Sequence, residues 1–87
     1  MKNINIIDPN FLKEIYVLAL QKHQKNNLHD AIDLYNKILK IDPNYIEALR
    51  NLSVAYMALN ENQKAITCYE KVIEIDPNYT EGYYNLG

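Results

Sequence analysis

One short segment recurs in this sequence at a fixed interval. "IDPNY" occupies Ile41–Tyr45 and Ile75–Tyr79, and the near copy "IDPNF" occupies Ile7–Phe11, so that successive Asp residues are 34 positions apart. A constant period of roughly 20 to 50 residues is typical of chains built from one small structural unit that is repeated and stacked. The chain is therefore expected to be a repeat protein.

The repetition extends far beyond this segment. Residues 12–45 align with residues 46–79 without a gap, and most apolar positions that differ are conservative pairs. The identical pairs ahead of the "IDPNY" segment include Leu18/Leu52, Asn26/Asn60, Ala31/Ala65, Ile32/Ile66, Tyr35/Tyr69 and Lys37/Lys71. Two complete copies of one unit therefore account for most of the chain.

Each copy has the apolar spacing of two α-helices. In the second copy, apolar residues recur at helical intervals within residues 48–59 and again within residues 65–73. The polar segment Asn60–Gln63 lies between these stripes and predicts a turn. Each copy is thus predicted to be a helix, a short turn and a second helix.

The Asp-Pro-Asn segment predicts where the second helix of each copy stops. Pro43 and Pro77 lack a backbone N–H and disfavour helix in the residue before them, so the helix should end near the preceding Asp. Asn44 and Asn78 are expected to cap the helix that follows. Each unit is therefore expected to be closed by a proline-marked turn.

The spacing and residue types resemble the tetratricopeptide repeat (TPR), whose pattern over about 34 residues is W-x2-L-G-x2-Y, then A-x3-F, then P. In the second copy these places are taken by Leu49, Leu52, Ser53, Tyr56, Ala65, Tyr69 and Pro77. In the first copy they are taken by Ile15, Leu18, Ala19, Lys22, Ala31, Tyr35 and Pro43. The resemblance implies an all-α fold, a right-handed α-solenoid of antiparallel helix-turn-helix pairs with about two full units and the start of a third.

The repeat register divides the chain into four segments. Residues 12–45 are the first unit, residues 46–79 are the second, and residues 80–87 are a truncated first helix of a third unit. Residues 1–11 are interpreted as a leader or as the remnant of a preceding helix. Because such arrays usually need about three units, two hypotheses stay open: the sequence is part of a longer protein, or two chains associate through the unfinished third unit.

Nine positions are predicted to form the core of the repeat packing. Small residues at Ala31 and Ala65 let the two helices of a unit approach closely, and Tyr35 and Tyr69 fill the gap to the neighbouring helix. The complete predicted set is Leu18, Ala31, Tyr35, Pro43, Leu52, Tyr56, Ala65, Tyr69 and Pro77.

The residues that stacking does not use lie on the opposite side of each first helix. Val17, Leu20, Val54 and Met57 are apolar there, although a solvated helix face should be polar. The family resemblance implies that this side is a concave groove for a peptide or partner protein. The alternative is that these side chains fill leftover space between helices or are scattered surface hydrophobes. The predicted groove consists of Lys13, Tyr16, Val17, Leu20, His23, Gln24, Glu47, Arg50, Asn51, Val54, Met57, Glu81, Tyr84 and Asn85.

Asn51 and Asn85 stand where, by resemblance, some family members line the groove with asparagine. A carboxamide carries both a donor and an acceptor, so it can pair with the backbone of an extended peptide whatever the peptide's sequence. Val17 interrupts this series in the first unit. Reading of a peptide backbone is therefore a hypothesis for these two residues.

The composition argues against other classes of partner. Nine Lys and Arg residues are interspersed with eleven Asp and Glu, for a net charge of -2, and no basic run marks a nucleic-acid surface. No apolar run is long enough to span a bilayer, and the N-terminal segment is too polar for a signal peptide. Cys68 is the single cysteine and favours a reducing compartment such as the cytoplasm.

No group of residues in the sequence indicates catalysis. His23 and His29 flank the first turn without a third ligand nearby, whereas a zinc site needs three or four donors. Cys68 lies on the buried side of its helix, with no histidine at helical spacing to lower its pKa. The chain has only two glycines and hence no glycine-rich phosphate loop. We expect no metal, no cofactor and no enzymatic activity.

Three functional hypotheses follow. The preferred one is a non-catalytic interaction module or scaffold that binds a peptide or partner protein in the groove. The second rests on Leu20–Leu39, which resembles the repeats ahead of the catalytic domain in bacterial glycosyltransferases of the O-linked N-acetylglucosamine transferase kind. The third is a structural piece that associates only with copies of itself.

Overall fold

The structure, a computed structural model, describes residues 9–78 as an array of α-helices. No strand occurs in this part of the chain. The helices are α1 (Pro9–Gln24), α2 (Leu28–Ile41), α3 (Ile46–Ala58) and α4 (Asn62–Ile75). Each helix packs against the next one in the chain, and the short turns make consecutive helices antiparallel. The predicted all-α array of helix pairs is confirmed.

The first helix starts earlier than the repeat register suggests. α1 begins at Pro9, so residues 9–11, which the register assigns to a leader, belong to the first helix. Residues 1–8 and residues 79–87, with the predicted third unit at 80–87, lie outside the described residues.

The two helices of a pair approach each other at small side chains. Ser53 on α3 is fully buried, and its hydroxyl donates a 2.9 Å hydrogen bond to the carbonyl oxygen of Ala65 on α4. The equivalent residues one repeat earlier, Ala19 and Ala31, are also fully buried. Larger side chains here would force the helices apart, because the core has no spare volume at these points.

Two buried tyrosines stand beside these small residues. Tyr35 on α2 and Tyr69 on α4 are fully inaccessible to solvent, as are Ile38 and Val72 one turn further along each helix. These four residues are among the largest side chains that are fully buried in the described part of the chain. These two buried positions therefore recur in both units.

Three residues predicted to lie in the core are exposed instead. Leu18 is 44% exposed, whereas its equivalent Leu52 is 2% exposed. Leu52 belongs to α3, which packs on the preceding helix α2, while Leu18 belongs to the first described helix. Pro43 and Pro77 are exposed because they lie in turns, where they end a helix and do not fill space. Tyr56 is half-buried.

Asp42, and not Asn44, organises the turn between the units. α2 ends at Ile41, and the Asp42 carboxylate accepts a 3.1 Å hydrogen bond from the backbone N–H of Asn44. The cap expected from Asn44 is wrong, because the N-cap of α3 is Tyr45, which makes no side-chain cap hydrogen bond. The Asp76 carboxylate accepts the equivalent hydrogen bond from the backbone N–H of Asn78 at 3.2 Å. The predicted helix end beside proline is confirmed.

The turn inside each unit contains an asparagine in the left-handed region. Asn26 has φ 64° and Asn60 has φ 63°. Beside Asn60, the Glu61 N–H donates to the Tyr56 carbonyl at 2.8 Å and the Asn60 N–H to the Met57 carbonyl at 3.0 Å, and equivalent bonds close the first turn. These bonds satisfy carbonyls that the helix end would otherwise leave unpaired.

This conformation predicts opposite effects for two substitutions at Asn60. Asn60→Ala should lower the free energy of unfolding by about 1 kcal/mol, because a non-glycine residue without a helpful polar side chain is disfavoured in the left-handed region. Asn60→Gly should leave stability unchanged or raise it, because glycine has no Cβ to clash. Circular dichroism should show a melting temperature about 4 to 8 °C lower for the alanine variant.

Asn62→Ala, at an exposed helical position two residues later, serves as the control and should change stability by less than about 0.5 kcal/mol. Equal melting temperatures for the alanine and glycine variants at position 60 would contradict the prediction.

Candidate binding face

The described part of the predicted groove comes from two helices. α1 carries six of its members and α3 carries five. Lys13, Val17, Gln24, Glu47, Val54 and Met57 are exposed. Tyr16, Leu20, His23, Arg50 and Asn51 are half-buried. Glu81, Tyr84 and Asn85 lie outside the described residues. We use the term α1–α3 face for these eleven described residues.

Asn51 connects the two helices of this face. Its side-chain nitrogen donates one hydrogen bond to the hydroxyl of Tyr16 at 2.9 Å and another to the backbone carbonyl of Glu47 at 2.9 Å. The first bond joins residues of different repeat units, and the second ties the amide to its own helix. These two hydrogen bonds hold the Asn51 side chain in one position between α1 and α3.

Tyr16 lies at the junction of the units. Its ring centroid is 5.8 Å from that of Tyr45, at the start of α3, and 6.4 Å from that of Tyr35 on α2, both in tilted arrangements. Aromatic pairs at such separations stabilise each other beyond the burial of their area. Burial raises the pKa of Tyr16, and the neighbouring charges of Arg50 and Glu47 act in opposite directions. The Tyr16 hydroxyl thus stays protonated at neutral pH.

Tyr45 is a contact that the sequence reasoning missed. It is half-buried and packs against Tyr16, and burial raises its pKa. The signal was present in the sequence, since the tyrosine that closes "IDPNY" occurs at the same place in both copies. It was interpreted only as part of a turn.

His23 is the hydrogen-bond partner of a buried tyrosine. Its Nδ1 lies 3.0 Å from the Tyr35 hydroxyl, and the two rings meet edge to face with centroids 5.9 Å apart. Burial raises the pKa of Tyr35 to about 12 and lowers the pKa of His23. Most fully buried hydroxyls in proteins have such a partner. His23 is half-buried and is bonded to a core residue, so it has a structural role. His29, by contrast, is exposed.

The second unit lacks this histidine. Met57 stands at the position equivalent to His23, and the buried hydroxyl of Tyr69 has no hydrogen-bond partner within the described residues. The two units therefore differ at this repeat position. The first has a histidine that contacts the buried tyrosine hydroxyl, and the second has a methionine instead.

Apolar side chains remain accessible on this face. Val17 is 42% exposed, Val54 is 37% exposed and Met57 is 39% exposed. These three side chains are consequently accessible to solvent, whereas Leu20 is half-buried. Lys13, Arg50 and Glu47 add charges of both signs, so that the face combines apolar, hydrogen-bonding and charged groups.

Among residues 9–78, no three His, Cys, Asp or Glu side chains come together to hold a metal ion. Cys68 is buried, and burial raises the pKa of its thiol to about 11, which leaves very little thiolate at neutral pH. None of the described helices combines the length and apolar character needed to cross a membrane.

Comparison with known sequences decides the family. The profile of the family described as "TPR repeat" matches residues 19–60 and again residues 54–87. Together the two matches span most of the chain. The chain belongs to the tetratricopeptide repeat family. No curated protein sequence matches the chain.

Solved structures share the TPR fold of this chain. One of 55 matching chains is MamA, in a crystal structure that superposes with a TM-score of 0.82 at 27% sequence identity. The match covers 86% of this chain and 44% of the MamA chain, so this TPR segment spans less than half the length of that protein. The superposition agrees with a helical repeat solenoid.

The lowered pKa of His23 predicts a pH dependence of folding stability. The folded chain keeps His23 neutral at pH values where the unfolded chain, with a pKa near 6.5, already binds a proton. Stability should therefore be fully present well above pH 6.5 and should fall as the pH decreases through about 6.5 towards 5.5. Denaturant midpoints measured across this range would reveal the slope.

His23→Met, which copies the second unit, should remove that slope even if it lowers stability at every pH. His29→Gln is the matched control, because His29 is exposed, and it should retain the slope. A slope that persists unchanged in His23→Met would show that another group causes it.

Proposed function

We propose that this TPR chain is a non-catalytic interaction module that binds a peptide or a segment of a partner protein on the α1–α3 face. The observation that carries the proposal is the accessibility of Val17, Val54 and Met57 on a face that also holds fixed hydrogen-bonding groups. Apolar side chains beside a few convergent polar groups are the usual make-up of a site that recognises a peptide.

The chemistry of the face suits a protein partner. Burying apolar side chains of a peptide against Val54 and Met57 removes their surface from water and favours binding. The opposite charges of Arg50 and Glu47 leave no strong field of one sign, which argues against nucleic acid as a partner. The repeat register assigns Glu81, Tyr84 and Asn85 to the same face.

The proposal also includes that the chain is not an enzyme and that it is located in the cytoplasm. A thiol whose pKa is raised to about 11 by burial is a poor nucleophile, and His23 is occupied with the Tyr35 hydroxyl. A single cysteine without a disulfide partner is compatible with the reducing cytoplasm. We therefore propose a cytoplasmic scaffold or adaptor role without cofactor or metal.

Placing a charge on the face should abolish peptide binding. Val54→Glu should weaken the affinity for peptides selected on the wild-type chain from a random library by at least roughly tenfold, because it removes apolar contact and buries a charge. Fluorescence anisotropy with labelled peptides measures the effect.

Thr67→Glu adds the same charge at an exposed, β-branched position on α4 outside the face and should leave affinity unchanged. Both variants should keep the wild-type melting temperature to within a few degrees. Equal affinities for the two variants would place the binding surface elsewhere.

A second candidate function is association between copies of the chain, and a specific comparison favours it. Leu18 is 44% exposed while its equivalent Leu52 is 2% exposed, and Ile66 is 38% exposed while its equivalent Ile32 is 8% exposed. α1 and α4 thus offer apolar surfaces that correspond to the two sides of the α2–α3 contact. A second copy could stack α1 on α4 as α3 stacks on α2, in a head-to-tail manner.

Light scattering over a wide range of concentration tests this second candidate. If copies stack, the mean mass should rise with concentration for the wild type and stay that of a monomer for Leu18→Lys. Gln21→Lys, which adds the same charge at an exposed position of α1, should behave as the wild type. A wild-type chain that remains monomeric at millimolar concentration would rule out the stacking.

A further inference from the structure

We infer that a cavity between α2, α3 and α4 binds a small amphiphilic anion, namely an aliphatic carboxylate. The hydrocarbon chain of the ligand lies against leucine side chains, and its carboxylate lies beside the ammonium group of Lys64. This inference goes beyond the proposed function, because the cavity lies outside the α1–α3 face and takes a different class of ligand.

The interior of the cavity is apolar. Its volume is about 340 Å³, and it is lined by Leu39 of α2 and by Leu49 and Leu52 of α3. Cys68 of α4 and the half-buried ring of Tyr56 complete the apolar part. A volume near the lower end of the range for small-molecule sites suits a short hydrocarbon chain.

Cys68 leaves the space that such a chain can fill. The equivalent residue of the first unit is Leu34, and Cys68 is only 9% exposed, so its side chain belongs to the interior. A cysteine side chain ends one atom beyond Cβ, whereas a leucine carries three carbon atoms there. Atoms that border an unfilled space lose dispersion contacts, which an apolar ligand restores.

The cavity and the α1–α3 face lie on opposite sides of α3. Leu49, Leu52 and Tyr56 are spaced by three and four residues and therefore share one side of the helix. At 3.6 residues per turn, this side is about half a turn away from Asn51 and Val54. A ligand in the cavity and a peptide on the face consequently use different residues of α3.

The rim of the cavity favours a negative charge. Among the described residues that line the cavity, Lys64 is the charged one, and its neighbours on the rim include Asn36 and Gln63. The Lys64 ammonium nitrogen lies 5.6 Å from the centroid of the Tyr56 ring, which places it beside the apolar part. Gln63 and Lys64 also belong to the first turn of α4, where the helix dipole stabilises an anion.

The ion pair that Lys64 already makes leaves it able to bind a second carboxylate. Its Nζ lies 3.7 Å from Oε1 of Glu61, and the two side chains are 62% and 48% exposed. Ion pairs as exposed as this one contribute little to stability. The residues equivalent to Tyr56 and Lys64 in the first unit are Lys22 and Asp30, so that unit does not repeat the combination of ring and ammonium group.

Titration of the wild-type chain with butanoate, hexanoate and octanoate tests the inference. Methyl resonances of Leu39 and Leu49 should shift in NMR spectra, while those of Val17 and Val54 should not. Each added CH2 group that becomes buried should tighten binding roughly threefold to fourfold. Octylammonium, which has the same chain and the opposite charge, should bind more weakly than octanoate, although the net charge of -2 favours cations in general.

Two pairs of variants separate volume from charge. Cys68→Leu, which copies Leu34, should weaken octanoate binding at least roughly tenfold because it fills the cavity. Cys68→Ala also removes the thiol but leaves the space, so it should still bind. Lys64→Gln should weaken octanoate binding roughly twofold to fivefold. Lys25→Gln removes an exposed charge from the turn of the first unit and should have no effect.

The outcomes are distinct from those of the peptide experiment. Unchanged leucine resonances at about 10 mM octanoate, a concentration at which even a millimolar ligand binds, would overturn the inference. Equal affinities of folded Cys68→Leu and Cys68→Ala would do the same, with melting temperatures showing that both are folded. Octylammonium that binds as tightly as octanoate would overturn the assignment of an anion. None of these results bears on peptide binding or on its loss in Val54→Glu.

Discussion

The close approach of paired helices at small side chains is the constraint on which the rest of this structure depends. The hydroxyl of Ser53 contacts the carbonyl of Ala65 directly, so the two helix backbones are separated by little more than one short side chain. In the first unit, Tyr35 is enclosed completely beside the equivalent small residues Ala19 and Ala31. Burial of the ring in turn brings its hydroxyl to His23 on the facing helix. The spacing between the paired helices therefore determines how the core packs, and it allows the hydrogen bond between Tyr35 and His23.

Much of the fold could be predicted because its signals are local or periodic. Pro43 ends a helix wherever it stands, and the apolar spacing of each copy predicts two helices without knowledge of their neighbours. Leu18 was predicted wrongly for the opposite reason, since its burial depends on what packs against the unit from outside and not on the residue itself. The turn was predicted in part. Asp42 follows α2 directly with extended backbone (φ -133°), so its carboxylate, and not the side chain of Asn44, reaches the backbone N–H two residues ahead.

The polar contacts of the face were less accessible to sequence reasoning. The bond between His23 and Tyr35 lies within one unit and could have been anticipated, because most buried tyrosine hydroxyls have a hydrogen-bond partner. The contact between Tyr16 and Asn51 joins residues 35 positions apart in different units. Whether their side chains meet depends on how one helix pair is rotated relative to the next, and residue types alone do not determine that angle.

The two copies diverge where stacking does not restrain them. The buried pairs Ala31/Ala65, Tyr35/Tyr69 and Ile38/Val72 keep the same or a similar residue in both units, since each has to fit the same spacing between helices. On the face, His23 is replaced by Met57, and Val17 by Asn51. A polar pair that spans a junction requires suitable residues from both sides, so each junction of such an array has its own hydrogen-bonding pattern. The repeated core positions therefore set the spacing of the helices, while the unrepeated residues at one junction set the hydrogen bonds made there.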